Sequence, residues 1–362
     1  MTKYEELARQ LTALIRTNLD KGISRLPTEA QICTHYQVSR QTVRAALSLL
    51  QNQGLIVSKQ GSGSYATGIS ENLLTNTIPI LISSTQDYIY PTLLADIREQ
   101  LSAYGYELRI LPTSNSTSTE RHYLSQLLAQ ERVPRGMIIE GCKSALPNPN
   151  LDLYEQLQER GTFLLFLHNY YKGLKDITYI KDDNYYGGYL LGQHLVSLGH
   201  SHIAGIFKID DLQGPERYQG VVSGLRDLNT YIYDENVRWF TSLEAEALTD
   251  RQDTRFLTDF IKRELDGCTA VICYNDEIAY WLIKELAYAG ITVPDTLSIV
   301  CFDNSYLSDL SKVRITTLSH RPHEMGTSVA ACLTDKLKGT SVVSQEIPWQ
   351  LVRKDSDAPC HG

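Results

Sequence analysis

Arg40, Gln41, Thr42 and Arg44 sit close together in the segment Val38-Ser-Arg-Gln-Thr-Val-Arg. An arginine fork matches the two acceptors of guanine and a glutamine amide matches adenine, so these residue types can read base edges; which base each meets is open. Ser39 supplies an N-cap. It places Arg40, Gln41 and Thr42 in a first helical turn, where side chains and unpaired amides face the same groove or phosphate. Lys59-Gln60-Gly61-Ser62-Gly63 adds one cation on a two-glycine turn, a tip that can enter a minor groove or lie along phosphates.

A second set of polar groups lies further along the chain, each at the end of an apolar run: Ser83-Ser84 with Tyr88 and Tyr90, Glu140 with Lys143, His168-Asn169, Lys208, Asn275-Asp276 and Asp303. Arg217 and the pair Asp182-Asp183 join them from neighbouring loops. Carboxylates, an amide, a guanidinium and phenol rings suit a small polyhydroxylated ligand, because each hydroxyl both donates and accepts and a ring can cover the C–H face. Asp276 precedes a helical stretch and is expected to cap it; Asp303 and Arg217 are expected at the ligand. The carboxylates at 140, 183 and 303 could also serve glycoside hydrolysis if suitably spaced. The sequence carries no GxSxG, HExxH or Walker loop, and an enzyme is not expected.

The elements that must position these groups are of two kinds. Tyr4, Leu7, Leu11, Leu14 and Ile15 recur at helical spacing, Thr28 and Gln31 are placed for a capping box, and Val43, Ala46, Leu47 and Leu50 form the inner face of the basic helix. With the wing after Gly54 they predict a winged helix-turn-helix over residues 1–68, followed by a polar linker at 69–77. From Ile78 strands and helices alternate. Strands are expected at 78–83, 107–111, 136–140, 162–167, 203–208, 270–274 and 298–302, and helices include 90–104, 186–198, 215–228 and 277–289. This is the pattern of parallel sheets covered on both faces, in an α/β body over 78–352 with a C-terminal tail at 353–362. Ligands of such sheets lie beyond the carboxyl ends of the strands, where the second set of polar groups falls.

The net charge of −8 divides unevenly: residues 1–68 carry +4, leaving −12 for the remainder. A basic reader on an acidic body is the expected footprint, since screening confines phosphate attraction to about 8 Å. Seven cysteines, an odd number without a CxxC pair, point to reduced thiols rather than a metal site or disulfides. No apolar run is long enough to span a membrane and the start Met-Thr-Lys-Tyr-Glu-Glu is too charged for a signal peptide, so a cytoplasmic, nucleoid-associated protein is expected, with no cofactor and no membrane partner. A transport-binding protein is disfavoured on the same grounds.

Leu26-Pro-Thr-Glu, Val38-Ser-Arg-Gln-Thr-Val-Arg and Gln60-Gly-Ser-Gly-Ser resemble the DNA-binding domain of the GntR family. That resemblance implies DNA contacts at Glu29, Arg40, Gln41, Thr42, Arg44 and the wing residues Lys59, Gln60 and Gly61. Asp182-Asp-Asn-Tyr-Tyr-Gly-Gly, Gly214-Pro-Glu-Arg-Tyr-Gln-Gly, Val271-Ile-Cys-Tyr-Asn-Asp-Glu and Leu297-Ser-Ile-Val-Cys-Phe-Asp-Asn resemble the effector domain of LacI/GalR repressors. This second resemblance implies a two-lobed, periplasmic-binding-protein-like fold with two parallel sheets. One lobe would hold 78–180 with roughly 304–320, the other 181–303 with 321–352. It also implies a sugar held by Arg217, Asn275, Asp303 and Asp183. The joining of such a reader to such a body, with Asp87-Tyr-Ile-Tyr-Pro and Cys273-Tyr-Asn-Asp-Glu-Ile-Ala, resembles arabinose-responsive repressors. The implied effector is L-arabinose or a related sugar, contacted also by Glu140, Lys143, His168 and Tyr88 or Tyr90. The implied partner is double-stranded operator DNA, read by a homodimer.

Overall fold

The computed structural model describes residues 3–20, 24–52, 55–59, 63–66, 74–85, 88–310 and 312–360. The chain divides into two compact units, residues 1–77 with 124–135 and 152–163, and residues 78–123, 136–151 and 164–362.

In the first unit, α1 (Lys3–Asp20), α2 (Glu29–Tyr36) and α3 (Arg40–Asn52) precede a two-stranded antiparallel ribbon of β1 (Ile56–Lys59) and β2 (Gly63–Ala66), in register Lys59 with Gly63. Leu7, Leu11, Ile15, Ile32, Val43, Ala46, Leu50 and Ile56 form one buried cluster, so the apolar faces of all three helices and the ribbon close on each other. Thr28 accepts from the Gln31 amide while the Gln31 side chain accepts from the Thr28 N–H, a complete capping box. The ribbon also gains main-chain bonds from the segment before α2: Leu26 N–H to Ser64 O and Ala66 N–H to Ser24 O. The expected linker is partly strand, since β3 (Leu74–Thr75) pairs in parallel with β6 (Val133–Pro134).

The remaining elements are β4 (Thr77–Ile82), α4 (Tyr90–Ser102), β5 (Glu107–Pro112), α5 (Thr117–Leu128), β7 (Gly136–Ile139), α6 (Leu151–Glu159), β8 (Phe163–Leu167), β9 (Thr178–Asp182), α7 (Asn184–Ser197), β10 (Ile203–Lys208) and α8 (Gln213–Arg226). They continue with β11 (Val237–Phe240), α9 (Ser242–Arg251), α10 (Arg255–Arg263), β12 (Ala270–Cys273), α11 (Asp276–Tyr288), β13 (Ser298–Phe302), α12 (Leu307–Leu310), β14 (Thr316–Ser319), α13 (Glu324–Leu337), β15 (Gln345–Ile347) and β16 (Gln350–Val352). One sheet has the order β15-β9-β8-β7-β4-β5 and the other β11-β10-β12-β13-β14-β16. β16 runs antiparallel to β14, whereas β10, β11, β12, β13 and β14 pair in parallel.

These sheets are the cores of two lobes, and the division differs from the expected one. β14 belongs with the second lobe because it extends the sheet beyond β13, with Val300 opposite Thr316. α13 belongs with the first lobe, where it packs on α4 and β9, and β15 adds to β9. Residues 353–360 are not a loose tail. Ile299 and Ser356 exchange bonds, Asp357 accepts from Thr316 and meets His194 Nε2 at 2.8 Å, and Cys360 N–H reaches Leu198 O. This strap fastens β13, β14 and α7.

Helices α7 and α8 cross at glycines. A Cβ on Gly188 would stand 2.0 Å from Arg217 O, and one on Gly220 1.9 Å from Tyr185 O. The missing side chains let the two backbones touch, which sets Arg217 deep in the second lobe. All seven cysteines are unpaired thiols.

Candidate functional site

On α3, Arg40, Gln41 and Arg44 are exposed and Thr42 is half-buried. Ser39 Oγ accepts from the Thr42 amide at 3.2 Å and also bonds the Thr42 hydroxyl, so the first turn is fixed. Arg44 pairs with Glu29 at 3.1 Å, tying α3 to α2 through two largely exposed side chains. At such exposure the pair contributes little stability but restricts where the guanidinium points. Lys59 ends β1, its side chain undescribed, and Gln60 and Gly61 lie outside the described residues.

In the second unit the carboxyl ends of strands from both sheets converge. Tyr88, Tyr90, Glu140, His168 and Asp303 line a cavity of about 420 Å³, together with Asp182, Gln213, His320 and Trp349. Tyr90, Glu140 and Gln213 also border a second, more polar cavity of about 610 Å³ that includes Lys143 and Lys208. The backbone is in the left-handed region at Tyr88, Lys143, His168 and Asp303, with φ of 67°, 46°, 63° and 91°. Such conformations cost energy in non-glycine residues and concentrate where a site demands them.

Asp303 is held from both sides. Arg217 Nη2 donates to its Oδ1 at 3.1 Å and Tyr88 donates to its Oδ2 at 2.6 Å. Tyr88 follows a strand of the first lobe and Asp303 one of the second, so this bond spans the lobes. Arg217 is 1% exposed and lines neither cavity. Its Nε donates to Asn184 and its Nη1 to Tyr274 O, and the guanidinium lies 4.2 Å over the Phe302 ring. It fixes Asp303 from behind. Across the cavity, Glu140 accepts from the Ser83 amide at 2.6 Å and from Tyr90 at 3.0 Å.

Asp182 bonds three side chains. It meets His168 Nδ1 at 3.1 Å, His320 Nε2 at 2.7 Å and Gln213 Nε2 at 3.1 Å. Burial alone would raise its pKa, but the two imidazoles outweigh burial and hold the carboxyl well below the usual range. Both histidines respond in kind: burial opposes their charge, yet the Asp182 carboxylate lifts each above its ordinary value.

Three sequence expectations shift. Asp183 lines neither cavity; it caps α7 by accepting from the Tyr186 amide, and the neighbouring Asp182 faces the cavity instead. Asn275 caps α11 by accepting from Ile278 N–H at 3.0 Å. Asp276, expected as that cap, is fully buried, accepts from the Ser305 amide, and is pushed up to about 7 by burial and by Asp303. Each is a one-residue slip: a helix start decides which of two adjacent polar residues caps and which turns inward. Gln213, His320 and Trp349 also line the cavity without any signal in the sequence: Gln213 is the first residue of α8, and His320 and Trp349 lie in segments between the lobes that follow no apolar run.

Residues 3–65 match the model for bacterial regulatory proteins of the gntR family, and residues 193–356 match a periplasmic binding protein-like domain. An arabinose metabolism transcriptional repressor of Halalkalibacterium halodurans is 30% identical over 95% of this chain and 93% of its own length. The protein of the same name from Geobacillus stearothermophilus is 32% identical over 94% and 93%. Among solved structures, a LacI family regulator from Enterococcus faecium with bound ribose superposes with a TM-score of 0.63, at 24% identity, over 79% of this chain and all of that one. A periplasmic binding protein/LacI regulator from Alkaliphilus metalliredigens, complexed with D-xylulofuranose, gives 0.65 at 20% identity over 78% and 99%. The body therefore has the LacI-type two-lobed fold, and the likeness to the two repressors runs along reader and body alike. The chain belongs to the family of the arabinose metabolism transcriptional repressors, sugar-responsive regulators in which a GntR-type winged helix heads a periplasmic-binding-protein-like body.

Proposed function

We propose that the chain grips operator DNA as a cytoplasmic homodimer and releases it when L-arabinose enters the cavity between the lobes. The observation that carries this reading is the likeness to two arabinose metabolism repressors along reader and body alike. The cavity chemistry supports it. A pentose has no charge, so selectivity rests on matched donors and acceptors, and hydrogen bonds to charged groups are worth about 1.5–3 kcal/mol each. Glu140, Asp303 and His168 offer such groups, Lys143 does so from the adjoining cavity, Tyr90 adds a neutral hydroxyl, and Arg217 orients Asp303. Tyr88 occupies an oxygen of Asp303, so a sugar hydroxyl must share or displace that phenol. On the DNA side, Arg40, Gln41 and Thr42 face the groove, and Arg44, steadied by Glu29, meets bases or phosphates with help from Lys59, Gln60 and Gly61. A two-fold dimer presents two such readers to two half-sites.

The test is operator binding with and without L-arabinose, alongside D-xylose, D-galactose and D-ribose. L-arabinose is expected to weaken the complex by about tenfold or more, within the usual range of coupling between sites, and the others less. A larger effect from another sugar would reassign the effector. Silence from all four, with no heat in calorimetry, would overturn the reading.

A further inference from the structure

Three stretches of chain pass between the lobes: Asp182 to Asn184, from β9 to α7; Ser319 to His323, from β14 to α13; and Ile347 to Gln350, from β15 to β16. They meet at one side chain. His320, on the second stretch, places Nε2 2.7 Å from Asp182 Oδ1 on the first and Nδ1 2.9 Å from Pro348 O on the third. Its ring stacks on Trp349, centroids 3.7 Å apart. The Asp183 N–H bonds Ile347 O at 3.0 Å and closes the triangle.

Both ring partners can only accept. A neutral imidazole has one N–H and would turn a lone pair toward one of these oxygens; only the imidazolium serves both. We propose that His320, doubly protonated, is the pin that holds the three crossing strands together and carries the state of the sugar cavity to the angle between the lobes. The cavity borders the pin directly, because Asp182, His168 and His320 all line it. The sugar acts on the Asp182–His168 side, the pin passes strain to the Pro348–Trp349 side, and Trp349 is buried in the second lobe's core.

The charged and titratable groups around the ring are Asp182 and His168 from strand ends of the first lobe, and Asp303 and Arg217 from the second. Arg321 and His323 lie on its own stretch and Glu324 opens α13 after it, with His323 paired to Asp96 of α4. Burial opposes the pin's charge, but Asp182, the Pro348 carbonyl and Asp303 favour it, and the ring holds its proton above the ordinary imidazole range. The sign follows: the pin is in place below that raised value and is lost as pH climbs through it.

The experiment uses the full chain and two variants, His320→Phe, which keeps a ring on Trp349 and removes both bonds, and His320→Gln, which keeps a donor for Asp182. Nitrogen NMR of labelled histidine in the sugar-free protein reads the ring directly, through the signals lost in the variants. Both nitrogens should be protonated near pH 7, and a neutral tautomer would overturn the pin. The ratio of operator affinities without and with L-arabinose is then followed from about pH 6 to about pH 9. In the unsubstituted chain it should fall by about threefold or more, and in His320→Phe it should be low and flat. A merely structural role would lower the ratio without flattening the profile, and the same profile in both proteins would sink the proposal. This inference rests on the effector reading for its sugar, but the two fail separately. A charged ring with no response to any sugar defeats the effector and leaves the pin, whereas a normal sugar response with a neutral ring does the reverse.

Discussion

Asp276 shows how the neighbourhood of a single carboxyl sets its chemistry. Its side chain is buried beside Asp303 and Tyr88, and its pKa moves from 3.8 to about 7. The folded chain thus keeps a proton that the unfolded chain gives up between those values, so stability from this group falls as pH rises from about 4 to about 7 and stays reduced above. Asp276→Asn retains an acceptor for the Ser305 amide and removes the titration. The variant should be more stable than the parent at about pH 8 and similar at about pH 3.5, with a shift on the order of a few kcal/mol read from denaturant unfolding at both values. An unchanged difference between the two pH values would show that Asp276 is ionised without penalty. The two adjacent acids Asp182 and Asp183 carry the same lesson: one caps a helix, the other anchors two histidines.

At the scale of elements, the contact of α7 with α8 is where backbone geometry decides the site, because it seats the Arg217 that holds Asp303. Gly188→Ala would drive a methyl into Arg217 O. The expected cost is about 1–3 kcal/mol of overpacking, seen as a lower melting temperature together with weaker sugar binding by calorimetry; full sugar affinity in a destabilised variant would separate the helix contact from the site. The elements themselves were largely legible in the sequence. Capping at Thr28 and Gln31 is a matter of neighbours three residues apart, and the buried strands β4, β8, β10, β12 and β13 announce themselves as short apolar runs. β9 and β14 were not, since Thr-Tyr-Ile-Lys-Asp and Thr-Thr-Leu-Ser mix polar residues that become buried only by pairing with partners far along the chain. The site follows the same divide. Glu140, His168 and Asp303 stand out by their place after apolar strands, and Asp182 as one of an adjacent pair of acids, while Gln213 and His320 acquire meaning from their contacts with Asp182, 31 and 138 residues away.

At the scale of the whole molecule, the strap at 353–360 completes the second lobe. Asp357 has a fully buried side chain bonded to His194 and Thr316, and Ser356 satisfies main-chain groups of β13 and β14. A chain stopped after Val352 leaves these buried groups without partners, at about 1–3 kcal/mol each. Its body should melt lower by about 10 °C or more, measured by calorimetry; an unaltered transition would mean that the strap is only draped on the lobe. The order of synthesis gives this architecture a further meaning. The reader's core is complete by Ala66, whereas β15 closes one sheet, β16 the other, and the strap follows both. During translation a reader able to fold on nearby residues emerges long before the body that governs it. A chain that ends within the last strands therefore carries a complete reader core beside two sheets that still lack their closing strands.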